Sequence, residues 1–267
     1  MRLDHGQFFG DYQTQRAVGA LQLAELTPTV PEHEVHTHTH GDGHFLLLVA
    51  GHYLSTAKGM PTVCTEPVLI SNPPGTRHRD CFRGLAGRFL TLSVPLVQWA
   101  AVDDAERLSE QATRLSGSAL VAGYRLRREL RGWDSASALV VESEMQLLLS
   151  ESALQTRLQD HRAPAWLARA REQLHDACAD TPSLAALART ADVHPVHFAR
   201  AFRRRYRCSP GEYLRRCRLE GALGLLANRR LSLAEVAAQC GFFDQSHFNH
   251  AFHRAYRMTP GGFRALA

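Results

Sequence analysis

Apolar and polar positions follow two different periods along this chain, and the period changes near residue 95. Before it, stretches rich in Val, Ile, Leu, Phe and Thr ("VGALQLAEL", "HFLLLVAGHYLSTAKG", "TVCTEPVLISNP", "GRFLTLSVP") are separated by Gly and Pro. Side chains of a strand alternate between two faces, so these stretches predict strands joined by turns. After Pro95, apolar residues recur at three- and four-residue spacing, which predicts helices. "LVQWAAVDDAERLSEQ", residues 96–111, and "SASALVVESEMQLLLSESALQTRL", residues 135–158, show it, the second with apolar positions at 139/140, 147, 148 and 154. That stripe is either a seam between two copies of the chain or a face laid on the chain's own strands. "QDHRAPAW", with its proline and change of charge, predicts a linker.

Beyond the linker the pattern occurs twice. "SLAALARTADVHPVHFARAFRRRYRCSPGEYLR" from Ser183 and "SLAEVAAQCGFFDQSHFNHAFHRAYRMTPGGFR" from Ser232 match, the second with one extra residue in its middle. A repeat of this kind is one supersecondary unit used twice. Each reads as helix, tight turn, helix, helix start, the helix-turn-helix pattern. In the first unit Leu184, Leu187 and Ala188 form an apolar stripe, with Thr181 as expected N-cap ahead of Pro182; in the second, Ser232 and Glu235 form a capping box. The turns fall at "TADV" and "QCGF", where Gly241 suits a helix end needing positive φ. The next helices begin at Pro195 and after Asp244, with Phe198, Ala201, Phe202 and Phe248, Ala251, Phe252 facing inward. Between the units, a second capping box of Ser209 and Glu212 opens one helix that ends near Asn228. About 18 residues at 1.5 Å each make a rod of ~27 Å, against ~34 Å between successive major-groove faces of DNA.

Charge gives this repeat a partner. Residues 161–267 hold 17 arginines against 8 acidic residues, whereas residues 1–160 hold 14 basic against 18 acidic. All basic residues but Lys58 are arginine, whose planar fork suits phosphate and guanine edges. Expected outward on the second helix of each unit are Val196, His197, Arg200, Arg203 and Arg204, and Gln245, Ser246, Asn249, His250 and His253. Arg, Gln and Asn make bidentate contacts to base edges, and the arginines of "RRRYR" and "NRR" suit phosphates. These are the expected DNA-binding residues. Residues 165–267 resemble the DNA-binding domain of AraC-type transcription regulators, two helix-turn-helix units joined by a long helix. His250 departs from the arginine often found there in that family, which implies weaker or pH-dependent contacts from the second unit.

The first part carries "HTHTHGDGH", residues 36–44, four histidines in nine positions. In a strand, His38 and His40 share one face and Thr37 and Thr39 the other, "GDG" is a turn signal, and His44 opens the next strand. Further on, "PPGTRH" places His78 after a Pro-Pro-Gly turn. The spacing from His38 and His40 through His44 to Gly51 resembles the first motif of cupin barrels, with His44 where Glu is usual. Pro73, Gly75 and His78 resemble the second motif, Pro67 and Phe82 standing in for its outer Gly and Asn. By that resemblance His38, His40, His44 and His78 are metal ligands, a nitrogen set open to Zn²⁺, Ni²⁺, Cu²⁺ or Fe²⁺. Related barrels also hold an organic effector, so the pocket's occupant stays a small molecule or a metal. Cys64 and Cys81 are further soft candidates, with burial as plain thiols the alternative. His33, His36 and His52 are expected as exposed or edge-strand residues.

Six scattered cysteines form no C-x-x-C pair, unlike a disulfide framework or zinc ribbon. Neither a signal-peptide run at the start nor an uninterrupted apolar stretch of ~18 residues is present, so a soluble cytoplasmic protein is expected. The expected architecture is α+β and multidomain: a cupin-like sensor barrel over 1–95, a helical dimerisation or linker segment over 96–160, and an all-α domain of two helix-turn-helix units over 161–267. The expected function is a non-enzymatic, sequence-specific regulator of transcription that binds double-stranded DNA, pairs as a homodimer and answers to an effector in the barrel. The alternative is a DNA-tethered metal cupin enzyme of oxygenase or isomerase type, with Glu66, Arg77 and Asp80 near the pocket. In a third reading the metal only pins the barrel.

Overall fold

The computed structural model describes residues 1–64, 67–101, 111–160, 164–176 and 182–267, those at 157–160 by backbone alone. The chain divides into two compact units, Met1–Arg157 with the last two residues, and Leu158–Ala265.

In the first unit the strands are β1 (Arg2–Leu3), β2 (Asp11–Val18), β3 (Leu21–Thr27), β4 (His38–His40), β5 (Gly43–Ala50), β6 (Tyr53–Ser55), β7 (Val63–Cys64), β8 (Val68–Asn72), β9 (Arg77–His78), β10 (Asp80–Phe82), β11 (Arg88–Val94) and β12 (Thr113–Leu115). The helices are α1 (Leu96–Ala100), α2 (Ser118–Arg131) and α3 (Ser137–Asp160). Among the described residues the strands form a six-stranded sheet in the order β12-β8-β5-β11-β3-β2 and two three-stranded sheets, β1-β4-β9 and β10-β6-β7. The closed barrel expected from the sequence is therefore replaced by one long sheet and two short ones. The cause lies in strand length: β4, β6, β7, β9 and β10 have two or three residues each. Turns at Gly51, Gly59, Gly75 and Gly84, all at positive φ, interrupt them before a continuous ladder can close.

The run "HFLLLV" in β5 is apolar without alternation because both faces are covered. Leu46 and Leu48 join Leu26, Ile70, Phe82 and Phe89 in one core cluster. Leu47 and Leu69 meet α2 on the other face, where a Cβ on Gly123 would lie 3.3 Å from Leu69 and 3.5 Å from Leu47. Helix α2 is further anchored by a buried ion pair, Arg127 Nε donating to Glu25 Oε1 at 3.1 Å, with Arg131 donating to both carboxylate oxygens of Glu25.

The helix expected over 96–111 shows as α1 and is followed by β12; residues 102–110 of that expectation lie outside the described residues. The expected stripe of α3 is displaced. Val141, Met145, Leu148 and Leu149 are buried, while Leu139 and Leu154 are exposed. Ser152 bonds Ser71 of β8 at 2.7 Å, so this face of α3 lies on the chain's own sheet. Of the expected linker, residues 161–163 lie outside the described residues; α3 runs to Asp160 before it and the next helix starts at Ala165 after it.

The second unit is α4 (Ala165–Asp176), α5 (Leu184–Thr190), α6 (Pro195–Tyr206), α7 (Pro210–Ala227), α8 (Leu233–Gln239), α9 (Gln245–Tyr256) and α10 (Pro260–Leu266). Leu167, Leu174, Leu187, Phe198, Phe202 and Leu214 make one core; Val236, Phe248, Phe252 and Phe263 are buried in the second half. Both capping boxes are present, Ser209 with Glu212 and Ser232 with Glu235. The N-cap of α5 is Ser183, whose hydroxyl accepts from Ala186 N at 3.1 Å, in place of the expected Thr181, which lies outside the described residues. Asp244 caps α9 as expected, accepting from His247 N at 2.6 Å.

Candidate functional site

Two sites arise from this fold, one in each unit. In the first, pleating puts His38 and His40 on one face of β4, and the antiparallel register sets His38 opposite His78 of β9. The Gly41-Asp42-Gly43 turn then brings His44 beside them, with ring centroids of His40 and His44 at 4.4 Å and of His38 and His78 at 4.7 Å. All four imidazoles are buried. One ring nitrogen each of His38, His40 and His78 lie within 4.8 Å of one another. His44 stands next to this triad and is already engaged: the amide of Asn72, its register partner on β8, meets His44 Nε2 at 3.0 Å. Its Nδ1 has no hydrogen-bond partner among the described residues, and neither has His78 Nδ1.

Burial lowers the pKa of three of these rings, those of His38, His40 and His44. His40 is pushed down to about 3 by burial and then by the neighbouring His78 and His38 charges. His44 is lowered well below the usual imidazole value by burial and then by the neighbouring His40, His78 and His38, and burial lowers His38 against the opposing pull of the His36 carbonyl, which meets His38 Nδ1 at 2.9 Å. A neutral imidazole keeps the lone pair that a metal needs. The space between them is about 40 Å³, lined by the four histidines with Phe8, Phe9, Tyr53 and Asp80 among others. That volume holds an ion with a water or two. Tetrahedral donors at about 2.0 Å from an ion are ~3.3 Å apart, so the triad fits a metal after closing by up to ~1.5 Å.

Asp80 lines the cavity, accepting from Ser55 Oγ at 2.6 Å and from the Tyr53 hydroxyl, with Oδ2 at 3.8 Å from His78 Nδ1. Arg77 is exposed, off the cavity, and Glu66 lies outside the described residues. Cys81 lines the cavity, but burial raises its thiol pKa; Cys64 is likewise raised and belongs to the apolar core instead. His33, His36 and His52 are exposed, as expected. The sequence reading missed Phe8 and Phe9, whose rings sit 5.1 Å from His40 and 5.0 Å from His38, and Asn72.

In the second unit the repeat places α6 and α9 equivalently. Val196, His197, Arg200, Arg203 and Arg204 on α6 are exposed, as are Gln245, Ser246, His250 and His253 on α9. Asn249 is half-buried, its Oδ1 without a hydrogen-bond partner among the described residues, so it presents less to a ligand than its spacing implied. His197 lies against Trp166 of α4, ring centroids 6.0 Å apart. His247 and Arg254 are exposed on α9 as well and escaped the sequence reading. Arginines, amides and imidazoles projecting from two short helices, each pinned by a phenylalanine core, can contact phosphates and base edges.

Residues 187–265 match the family model described as a helix-turn-helix domain. No curated protein matches the chain. Solved structures similar to it include the C-terminal domain of AraT, a response regulator from Geobacillus stearothermophilus, at 26% identity over 40% of this chain and 89% of that one, with a TM-score of 0.38. A DNA-binding transcriptional dual regulator from Escherichia coli K-12 is similar at 26% identity over 39% of this chain and 100% of that one, with a TM-score of 0.36. The DNA-binding domain of AdpA, a global transcriptional factor solved with a target DNA, is similar at 27% identity over 37% of this chain and 89% of that one, with a TM-score of 0.35. Among the described residues no helix is long and apolar enough to cross a membrane.

Proposed function

We propose that this chain, which carries an AraC-type helix-turn-helix domain in its C-terminal part, is a sequence-specific DNA-binding transcription regulator controlled by a divalent transition metal in its N-terminal unit. The observation that carries the DNA reading is the pair of equivalent helices α6 and α9, each turning a row of exposed Arg, His or Gln outward from a fully buried phenylalanine pair. Arginines supply salt-dependent attraction to phosphates, and side chains on α6 and α9 supply sequence choice.

Metal control rests on the buried His38–His40–His78 triad and its small cavity. Zn²⁺, Ni²⁺, Cu²⁺ and Fe²⁺ all suit imidazole donors, and His44 stands ready as a fourth once Asn72 releases it or through its free Nδ1. A bound ion ties β4, β9 and the start of β5 together, which favours whichever arrangement of the unit brings those ligands closest. A space of about 40 Å³ suits an ion with a water or two better than a sugar-sized effector.

The test is selection of duplexes from a randomised pool by the full chain, followed by affinity measurements with Zn²⁺, with Ni²⁺ and with chelator. One enriched sequence, bound at least tenfold differently with and without metal, is expected. Sequence-independent binding would overturn the regulator reading; equal affinity in all three conditions would overturn metal control alone.

A further inference from the structure

Among the described residues of the C-terminal unit, three large apolar side chains stand in solvent: Leu184, Val196 and Phe243, at 41%, 52% and 93% exposure. Two of them flank the starts of the second helices. Val196 is the second residue of α6, and Phe243 directly precedes Asp244, the N-cap of α9. Phe243 is also the residue by which the second unit exceeds the first. Val193 N bonds back to Ala188 O as Phe242 N does to Ala237 O, and His194 caps α6 as Asp244 caps α9, which leaves Phe243 without a counterpart.

The fold has no use for it. Its neighbour Phe242 is the one that closes the turn, 6% exposed and with its ring 5.2 Å from that of Phe248. A phenylalanine held almost wholly in water gains its hydrophobic free energy only when something covers it. After it in the chain come Gln245, Ser246 and His247, all exposed, and the adjacent carboxylate, Asp244, is spent on the His247 amide. The N-terminal residues of a helix in this motif approach base edges, where the C5-methyl of thymine is the apolar group on offer.

We propose that Phe243 is a specificity-determining residue that packs on a thymine methyl in the major groove, beside the bases faced by Gln245 and Ser246. This rests on the DNA-binding reading above and adds a stated base to it. It also gives the second unit a preference that the first, which has no residue at this place, lacks.

The experiment begins with the sequence that the full-length wild type enriches from a randomised duplex pool. Each dT of that site is then replaced in turn by dU, which removes the methyl and leaves the hydrogen-bonding edge, and binding is measured for wild type and Phe243→Ala. Because the side chain touches little of its own domain, the variant is expected to fold, which its unchanged circular dichroism checks. At one position dU should weaken the wild type about fourfold, the equivalent of one buried methyl, and should not weaken Phe243→Ala. Equal dU effects in both proteins at every position would overturn the proposal, pointing instead to a protein partner for this ring. Failure of the wild type to enrich any sequence would overturn it together with the regulator reading.

Discussion

Asp192 and Gly241 hold the same left-handed turn in the two helix-turn-helix units, with φ of 52° and 72°. The amide after each closes the turn onto the preceding helix, Val193 to Ala188 at 3.0 Å and Phe242 to Ala237 at 2.9 Å. A Cβ in this region costs about 1–2 kcal/mol, less for aspartate than for most residues. Gly241→Ala should therefore lose roughly 1 kcal/mol and Asp192→Gly should be neutral or slightly stabilising, read from the calorimetric transition of the C-terminal unit. An unchanged midpoint for Gly241→Ala would contradict the equivalence.

Arg207 and Arg257 end α6 and α9 in the same left-handed region, at φ 56° and 55°. Glycine relieves that strain, so Arg207→Gly and Arg257→Gly should each gain about 0.5–1 kcal/mol of stability. If the arginine also neutralises a phosphate, the slope of log affinity against log salt falls by about 0.9 in the same variant. Destabilisation by glycine would mean that these side chains hold the fold.

The proposed metal triad predicts an uneven alanine series. Removal of His38, His40 or His78 takes away a direct donor and should weaken Zn²⁺ or Ni²⁺ binding at least ~100-fold, whereas His44→Ala should cost about tenfold, the scale of a supporting group. Titration calorimetry on the full chain separates the two. An equal loss for all four would establish a four-imidazole centre.

Glu25 links β3 to α2 through Arg127 and Arg131. Burial would raise its carboxyl, but the hydrogen bonds and charges of Arg131 and Arg127 outweigh it and leave the pKa below the usual 4.5. The folded state then binds its proton more weakly than the unfolded chain. Stability from this group is complete above pH 4.5 and declines as pH falls through the lowered value. Glu25→Gln should cost about 3–5 kcal/mol, because Arg127 is left buried without its counter-charge, and should flatten that acid decline. Urea unfolding of both proteins between pH 3 and pH 7, roughly the carboxylate range and above, reads the difference.

Gly43 carries the turn between His40 and His44 past Trp99: a Cβ there would lie 2.3 Å from the indole. Gly43→Ala should lose about 1–3 kcal/mol through this overpacking. It should also weaken metal binding, since His44 is the next residue. A stable variant with intact metal affinity would show that α1 yields freely.

What was legible in the sequence was local. The capping boxes at Ser209 and Ser232 and the cap at Asp244 each depend on residues three apart, and all three formed. The histidines of β4 shared a face because strand alternation spans two residues. What was not legible depended on distant partners. The engagement of His44 by Asn72 follows from the β5–β8 register, 28 residues apart, which no motif spacing contains. Closure of the barrel required ladders that strands of two or three residues could not extend. In α3, apolar residues occur on more than one side, so the buried stripe was decided by contact with Ser71 and its neighbours rather than by period. Phe243 lay in plain view as the extra residue of the repeat, but its exposure could be read only from the fold.

Helix α7, at 18 residues and roughly 27 Å, joins two halves that share a backbone and differ in what they show: arginines on α6, amide and imidazole groups on α9. A site read by one such chain has a direction. Reversing the duplex would present the halves in the wrong order, so one such domain would sit on its site in one orientation only.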